Sequence, residues 1–183
     1  MERFLERIYL LQVLEDCRMC LASVSAFNAA LNDPRNDEPF THAMSFIHKA
    51  AAVSRIFWPP KSFSKESSAR AKSRGENLKK ALQINDTHPI KSRDLRDHLE
   101  HFDERLDDWA EHSKNRCIIV RMIGKRSHIV GNSINDSDII HLFDPDTHRY
   151  YFRGQEFNLQ ELVDGIVDIH NRTGERILEL DRP

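Results

Sequence analysis

Residues 92–109 read SRDLRDHLEHFDERLDDW, and the rest of the chain can be organised around this stretch. Its apolar residues recur at alternating steps of four and three, which is the spacing of one buried stripe on an α-helix. At about 100° per residue they fall within roughly 40° of a common line. The pattern predicts a helix with an apolar face toward a core and a polar face where function is expected. The apolar residues are Leu95, Leu99, Phe102, Leu106 and Trp109, and the polar face holds Arg96, Asp97, Glu100, His101 and Glu104.

Two side chains on the polar face have the chemistry to act on a phosphate group. Arg96 and His101 are five residues apart, about 140° around a helix. Arginine offers a permanent charge and a rigid fork for phosphate oxygens, and histidine accepts or donates a proton near neutral pH. The pair suffices for attack of an RNA 2′-hydroxyl on the neighbouring phosphate, which needs proton transfer and anion stabilisation but no metal. Because one helix supplies only one exposed pair, a symmetric dimer would pool two pairs in one cleft.

The segment 95–102, LRDHLEHF, resembles the signature of the HEPN family, in which Arg, a polar residue and three further residues precede His. The resemblance covers roughly residues 1–112 and implies a bundle of four to five helices with the motif on a late helix. It also implies a metal-independent ribonuclease that acts as a dimer, frequently as a toxin or phage-defence effector, although other members are non-catalytic. In these terms Arg96 would hold the phosphate, His101 would transfer protons and Asp97 would orient the pair.

Two residues depart from the family pattern. Asp97 stands where Asn is more usual, and it adds negative charge where an anion should bind. Asp103 occupies the position two residues after His101 where one subclass of toxins carries Tyr, which argues against that subclass.

The same stretch has alternative interpretations. Arg93 and His98 also match the loose motif, but His98 lies only about 60° from the centre of the apolar stripe. Pairs such as Asp97–His101 and Arg96–Glu100 are i,i+4 contacts of the kind that stabilise any exposed helix. Arg93, His98 and Glu100 are therefore weaker candidates, assigned to binding.

A basic segment precedes this stretch. Residues 61–80 contain seven Lys and Arg residues against two Glu, and Lys72 and Arg74 are candidates for contact with phosphates. The alternative is a solvated helix face, or one that neutralises residues 93–112, where eight acids and three arginines give a net charge of −5. That acidity favours a second hypothesis, a non-catalytic helical-bundle module that binds a protein partner or a nucleotide.

No metal or other cofactor is predicted. The histidines and acids of 98–103 are close in sequence, but the H-E-x-x-H and E-x-x-H spacings of known metal sites are absent. Cys17 and Cys20 form a C-x-x-C without a second pair, and both fall in an apolar stripe. Core positions are therefore the favoured interpretation of these two cysteines.

Three further helices are predicted before the organising stretch, over 2–31, 39–57 and 64–84. Pro39 suits the first turn of the second helix, and Ser64 suits the N-cap of the third. Pro89 is expected in the first turn of the fourth, which runs to about residue 112. The four helices favour an antiparallel up-and-down bundle over residues 1–113, the HEPN-like domain. The predicted core positions are Leu10, Val13, Cys17, Cys20, Val24, Phe27 and Leu31 in the first helix and Ala43, Phe46, Ile47, Ala50, Val53 and Phe57 in the second.

After residue 113 the periodicity changes from helix to strand. Asn158 and Glu161 resemble a capping box that opens a short helix, and ERILEL is a further candidate strand at 175–180. Residues 114–183 are expected to form a small C-terminal extension, antiparallel β plus helix, packed on the bundle. The predicted fold class is therefore α+β, mainly α. The predicted strands are 117–123, 127–132, 138–143 and 149–153, with a turn at 144–147.

Composition limits the classes of protein that this chain fits. With 39% hydrophobic and 31% charged residues and a net charge of −2, the 183 residues suit a globular chain without a global pull toward nucleic acid. Apolar runs are shorter than the ~20 residues of a membrane span, and no secretory cleavage pattern is present. Three cysteines are an odd and sparse set that suits the cytoplasm. The expected partners are a second copy of the chain, an RNA substrate and a cognate antitoxin or other protein, with no membrane.

Overall fold

The computed structural model describes residues 1–33, 35, 38–61, 64–92, 101–113, 116–129, 131 and 134–182, apart from the side chain of Phe102. These residues form helices and one small sheet, so the fold is α+β and mainly α. The described helices are α1 (Arg3–Asn32), α2 (Pro39–Phe57), α3 (Lys65–Ala81), α4 (Phe102–His112) and α5 (Leu159–Leu180). The strands are β1 (Ile119–Ile123), β2 (Ile139–Asp144), β3 (Arg149–Phe152) and β4 (Gln155–Asn158), and short 3₁₀ turns lie at Pro89–Lys91, Arg126–His128 and Asp136–Asp138.

The chain divides into two compact units. The first unit is Met1–Ser92 together with Leu162–Pro183, and the second is Arg93–Glu161. This division differs from a boundary at 113/114, because the residues from Leu162 onward belong with the first three helices and α4 belongs with the sheet. The fourth helix of the first unit is therefore α5, which the sequence pattern did not predict at this length.

The core of the first unit begins with the packing of α1 against α2. The predicted positions of α2 are all buried, as are Leu10, Val13, Cys17, Cys20 and Phe27 of α1. The bounds of both predicted helices are confirmed to within about one residue. Amphipathic patterns of 30 and 19 residues are long enough to distinguish the helical repeat from the strand repeat.

Helix α3 begins as predicted and ends earlier than predicted. The Ser64 hydroxyl accepts a hydrogen bond from the Ser67 amide, so Ser64 is the N-cap. The helix ends at Ala81 and not near Ile84, because Gln83 takes a positive φ of 54° that no helix continues through. The beginning of the fourth predicted helix also differs, because Pro89–Lys91 is a single 3₁₀ turn followed by Ser92 with a non-helical φ of −57° and ψ of 130°.

The two described side chains of the predicted apolar stripe, both in α4, are not fully buried. Leu106 is 36% exposed and Trp109 is only half-buried. Polar contacts hold this helix instead: the Trp109 indole donates to Asp138 at 3.1 Å and Ser113 donates to the same carboxylate at 3.2 Å. Although burial raises the pKa of Asp138, hydrogen bonds from Asn135, Trp109 and Ser113 lower it below the ordinary value, so the buried carboxylate stays ionised.

The sheet has the order β1-β2-β3-β4 and is mixed, not antiparallel as predicted. Strands β1 and β2 pair in parallel, and the other two pairs are antiparallel. Parallel pairing is available because residues 124–138 connect β1 to β2, and a parallel connection needs a dozen or more residues. The predicted strand over 127–132 is wrong at Ser127 and His128, which lie in the 3₁₀ turn Arg126–His128. Residues 130 and 132 of that prediction lie outside the described residues.

The C-terminal part is the largest departure from the predicted elements. Strand β4 was not predicted; it follows a two-residue turn in which Arg153 and Gly154 both have positive φ, at 47° and 82°. The helix that starts at Leu159 is long, and the predicted strand over 175–180 is wrong because those residues continue α5. The predicted cap is confirmed in part: the Asn158 side-chain oxygen accepts from the Glu161 amide at 3.2 Å.

Candidate functional site

Most of the predicted site residues lie outside the part of the chain that the structure describes. They are the catalytic candidates Arg96 and Asp97 and the binding candidates Arg93, His98 and Glu100. The described site residues are His101, in the second unit, and Lys72 and Arg74, in the first unit.

His101 lies at the entry to α4 and not within a helix. Its φ of −107° and ψ of 36° are non-helical, and its carbonyl accepts the first hydrogen bond of the helix, from Arg105. The residue thus takes the N-cap position, and the continuous helix predicted from 92 to 109 is wrong at this residue. The acidic residues Asp103 and Glu104 in the next turn favour a helix start here, because carboxylates stabilise the positive end of the helix dipole.

The imidazole of His101 is exposed and held by one carboxylate. Its Nδ1 lies 3.1 Å from Glu104 Oε1, and 55% of the side chain is exposed. A carboxylate at Nδ1 can fix the orientation of the imidazole ring. Sequence reasoning placed Glu104 on the polar face but did not assign it a role; the i,i+3 spacing of His101 and Glu104 is the signal that would have found it.

The surface of α4 around His101 is acidic. Asp108 is bound by Arg153 at 2.8 Å, and Arg153 also donates to the Arg105 carbonyl. The hydrogen bond from Arg153 lowers the pKa of Asp108. His112, in the last turn, lies beside Asp108, whose backbone carbonyl raises the pKa of this imidazole. His101 at the start of α4 and His112 in its last turn thus both have acidic neighbours.

Lys72 and Arg74 have different environments on α3. Lys72 is exposed, whereas Arg74 is half-buried. The Arg74 guanidinium donates to the carbonyls of Ile56 and Arg55 at 3.4 Å each and lies 5.4 Å from the ring centroid of Tyr9. It therefore satisfies carbonyls at the end of α2 and joins α3 to α1 and α2. Arg74 is engaged in packing, and Lys72 is the one of these two that faces solvent.

The first unit also contains a cluster of polar side chains that the sequence did not predict. The Trp58 indole donates to Asp86 at 2.7 Å, and the nearly buried Lys79 donates to the same carboxylate at 2.9 Å. These hydrogen bonds lower the pKa of Asp86 to about 2. Burial by itself lowers the pKa of Lys79, but the bonds to Asp86 and Glu76 raise it above the ordinary value. The cluster joins the ends of α2 and α3 through a loop residue, a contact between distant parts of the sequence that periodicity does not reveal.

The adjoining histidine has both ring nitrogens occupied. His88 Nδ1 accepts from the Ile90 amide at 3.4 Å, so Nε2 carries the proton and faces Asp168 at 3.3 Å. Burial lowers the pKa of His88, and Trp58 stacks on its ring with centroids 6.4 Å apart. A histidine so engaged fixes the loop against α5 and is not a free general base.

A groove of about 460 Å³ lies between the end of α3 and α5. Its cations are neutralised: Arg172 pairs with Asp168 at 2.8 Å, and Arg176 pairs with Glu6 at 2.7 Å. Arg172 also donates to the carbonyls of Leu82 and Gln83. The groove therefore offers no unpaired cation to an anionic ligand. Within the described ranges, no three His, Cys, Asp or Glu side chains converge as metal ligands would.

Comparison with protein-family models, with curated proteins and with solved structures gave no match for this chain. None of the helices in the described residues has the length and apolar character that crossing a membrane requires.

Proposed function

We propose that this chain is a metal-independent endoribonuclease of the HEPN type that needs no cofactor. Arg96, His101 and Asp97 are its catalytic residues, and a second copy of the chain completes the site. The enzyme acts as a toxin or defence effector, with a cognate antitoxin or similar protein as its partner. The observation that carries the proposal is the exposed imidazole of His101 at the end of the Arg96-to-His101 motif, with Glu104 at its Nδ1.

The chemistry follows from these groups. One imidazole takes the proton of the RNA 2′-hydroxyl, the 2′-oxygen bonds to the adjacent phosphorus, and the bond from phosphorus to the 5′-oxygen breaks. The leaving oxygen takes a proton from a second imidazolium, and the Arg96 guanidinium stabilises the crowded anion between these steps. The products are a 2′,3′-cyclic phosphate and a 5′-hydroxyl. Because acid and base act together, two copies of the motif serve better than one.

An exposed apolar stripe on α1 supports the proposed dimer. Phe4, Ile8 and Leu11 are 69%, 47% and 38% exposed, and their spacing of four and three puts them on one face. A two-fold axis would bring the same stripe of two copies together, as an isologous interface requires. Light scattering on the wild type and Ile8→Glu tests this: we expect a dimer for the first and a monomer for the second. A monomeric wild type contradicts the dimer.

The experiment that tests the activity is cleavage of labelled RNA in excess EDTA. We expect wild type to leave cyclic-phosphate ends, and Arg96→Ala and His101→Ala to lose about 10²- to 10⁴-fold in rate, the usual worth of a general acid or base. His112→Ala is the matched control, since it removes another exposed imidazole from α4. Cleavage that persists in His101→Ala, or that is lost equally in His112→Ala, contradicts the assignment of His101.

One observation favours the second candidate, a non-catalytic module that binds a protein partner or a nucleotide. Residues 93–112 carry a net charge of −5, and the described acids of α4 are exposed. Such a surface repels RNA unless cations elsewhere compensate. Binding without cleavage by the wild type in the same assay would support the module and overturn the nuclease.

A further inference from the structure

Helix α3 has two kinds of basic residue: those engaged in contacts with other residues, and those exposed on one face of the helix. Of the basic residues in Lys65–Ala81, Lys79 is buried against two carboxylates and Arg74 is committed to α2 carbonyls. The others are exposed and form no ion pair with any described residue. They lie within an arc of roughly 160° on the helix surface. We call this surface the α3 basic face; its cations are Lys65, Arg70, Lys72 and Lys80.

The arc that holds these cations also holds the exposed acids Glu66 and Glu76 and three short side chains. Ala69, Ser73 and Asn77 are exposed at i, i+4 and i+8, so they form one row along the face. A row of short side chains lets an extended polymer approach the helix closely while the longer lysines reach around it. Along the axis, Lys65, Lys72 and Lys80 are spaced by about 10 and 12 Å at 1.5 Å per residue. The face is thus long enough to meet several phosphates.

The acids of α3 do not cancel this charge. Glu76 pairs with Lys79 at 3.0 Å, which leaves Glu66 as the unpaired acid among Lys65–Ala81, all of which the structure describes. Four exposed cations therefore outnumber one free carboxylate. This local surplus of positive charge contrasts with the net charge of −2 of the whole chain.

We infer that the α3 basic face binds the phosphate backbone of RNA, without reading its sequence. The inference deepens the proposed function, on which the choice of RNA as the nucleic acid rests. Lysines act as point charges toward phosphate and release counterions when they bind, which gives affinity that depends on salt.

The composition of the face favours a nucleic acid over a membrane surface. Interfacial helices insert large apolar side chains such as Trp, Phe or Leu beside their lysines. No large apolar residue of α3 is exposed, and Leu78 is fully buried. The face therefore binds charge without an apolar anchor, as a phosphate-backbone site does.

The test is the salt dependence of RNA binding, measured by fluorescence anisotropy in the His101→Ala background so that the RNA stays intact. With four contacts to a single strand, the slope of log K against log salt is about −3, and affinity falls about 50-fold between 50 and 200 mM salt. Lys65→Gln/Lys72→Gln removes two contacts. The slope should therefore become shallower, about −1.4, and the affinity should fall only about 7-fold over the same range of salt. Arg18→Gln/Arg35→Gln is the control, with the same change of net charge at exposed positions outside α3.

The outcomes separate this inference from the proposed catalysis. An unchanged slope in Lys65→Gln/Lys72→Gln, with thermal unfolding like that of the parent, overturns the α3 basic face even if wild type cleaves RNA. An equal loss in the control also overturns it, since net charge alone would then explain binding. Binding with the expected slope and no cleavage upholds the face and overturns the nuclease. Cosedimentation with phosphatidylserine vesicles in place of RNA binding assigns the face to a membrane and overturns it as an RNA site.

Discussion

The substitution Gly75→Ala tests the packing that holds α3, the helix with the basic face. Gly75 is buried in the middle of α3, where a Cβ would lie 2.3 Å from the Phe57 carbonyl oxygen and 3.2 Å from Pro59 Cδ. Both neighbours are fixed: the first is backbone at the end of α2, and the second belongs to a proline ring. A methyl group therefore has no room unless the two helices move apart.

Two effects of opposite sign decide the result. Alanine in a helix interior is more favourable than glycine by about 0.5–1 kcal/mol. Forcing a methyl group into a closed contact costs about 1–3 kcal/mol, and a 2.3 Å approach to a rigid carbonyl belongs at the upper end of that range. We expect Gly75→Ala to lose about 2 kcal/mol of unfolding free energy, or roughly 4–8 °C in Tm for a chain of this size. Separation of the helices would also break the Arg74 contacts to the α2 carbonyls.

The measurement is urea and thermal unfolding followed by circular dichroism. Gly174→Ala is the matched control, because Gly174 is also inside a helix, α5, and a Cβ there would meet nothing within 4 Å. The Gly174→Ala protein should gain about 0.5–1 kcal/mol of unfolding free energy, because alanine favours the helix more than glycine does. A Gly75→Ala protein as stable as its parent, or a shift equal in sign and size for both variants, refutes the close approach of α3 to α2.

Three further predictions concern the site, the sheet and the thiols. Glu104→Gln removes the carboxylate at the His101 imidazole, so the rate of RNA cleavage in EDTA should fall about tenfold through lost orientation of the ring; an unchanged rate contradicts that role. Burial lowers the pKa of His141 to about 4, from an ordinary histidine pKa of about 6.5. As the pH falls below 6.5, His141 therefore takes up a proton in the unfolded chain before it does so in the folded chain. Stability should therefore drop by about 2 kcal/mol between pH 7.5 and 5 in urea unfolding, and His141→Gln should remove that drop. Burial raises the pKa of Cys17 and Cys20 to about 12, whereas Cys117 is exposed; a thiol reagent should modify one cysteine in the native protein and three in urea, and modification of more than one native thiol contradicts the burial.

The helices that the sequence predicted well are those with long, one-sided apolar patterns. Helices α1 and α2 follow from periodicity because their buried faces pack on each other, so the pattern in the sequence is the pattern of the core. The end of α3 was missed because Gln83 leaves the helix through a positive φ, which glutamine does not signal. The turn between β3 and β4 was missed for the same reason, since its first residue is Arg153 and not Asn or Asp.

The segment 175–180 shows how a short pattern gives the wrong period. ERILEL has three apolar residues among six, which is too short a pattern to distinguish a strand from a helix. Contacts that are distant in sequence decide between the two: Arg176 binds Glu6, and the Leu180 carbonyl accepts from Arg3. Both partners lie in α1, so a helix over these residues ties the two ends of the first unit together. No local window of sequence contains that information.

The predicted site illustrates the same limit at a single residue. An apolar stripe that runs through Leu99, Phe102 and Leu106 favours one unbroken helix, but the acids that follow His101 favour a helix start at that point. In the structure the helix starts there, so His101 occupies the N-cap position and Leu106 is exposed. The angle of 140° expected between Arg96 and His101 holds only on a continuous helix and no longer constrains the site. Glu104, inside α4, is the described carboxylate that lies beside the imidazole, and it can hold the ring in one orientation as the proposed role of His101 requires.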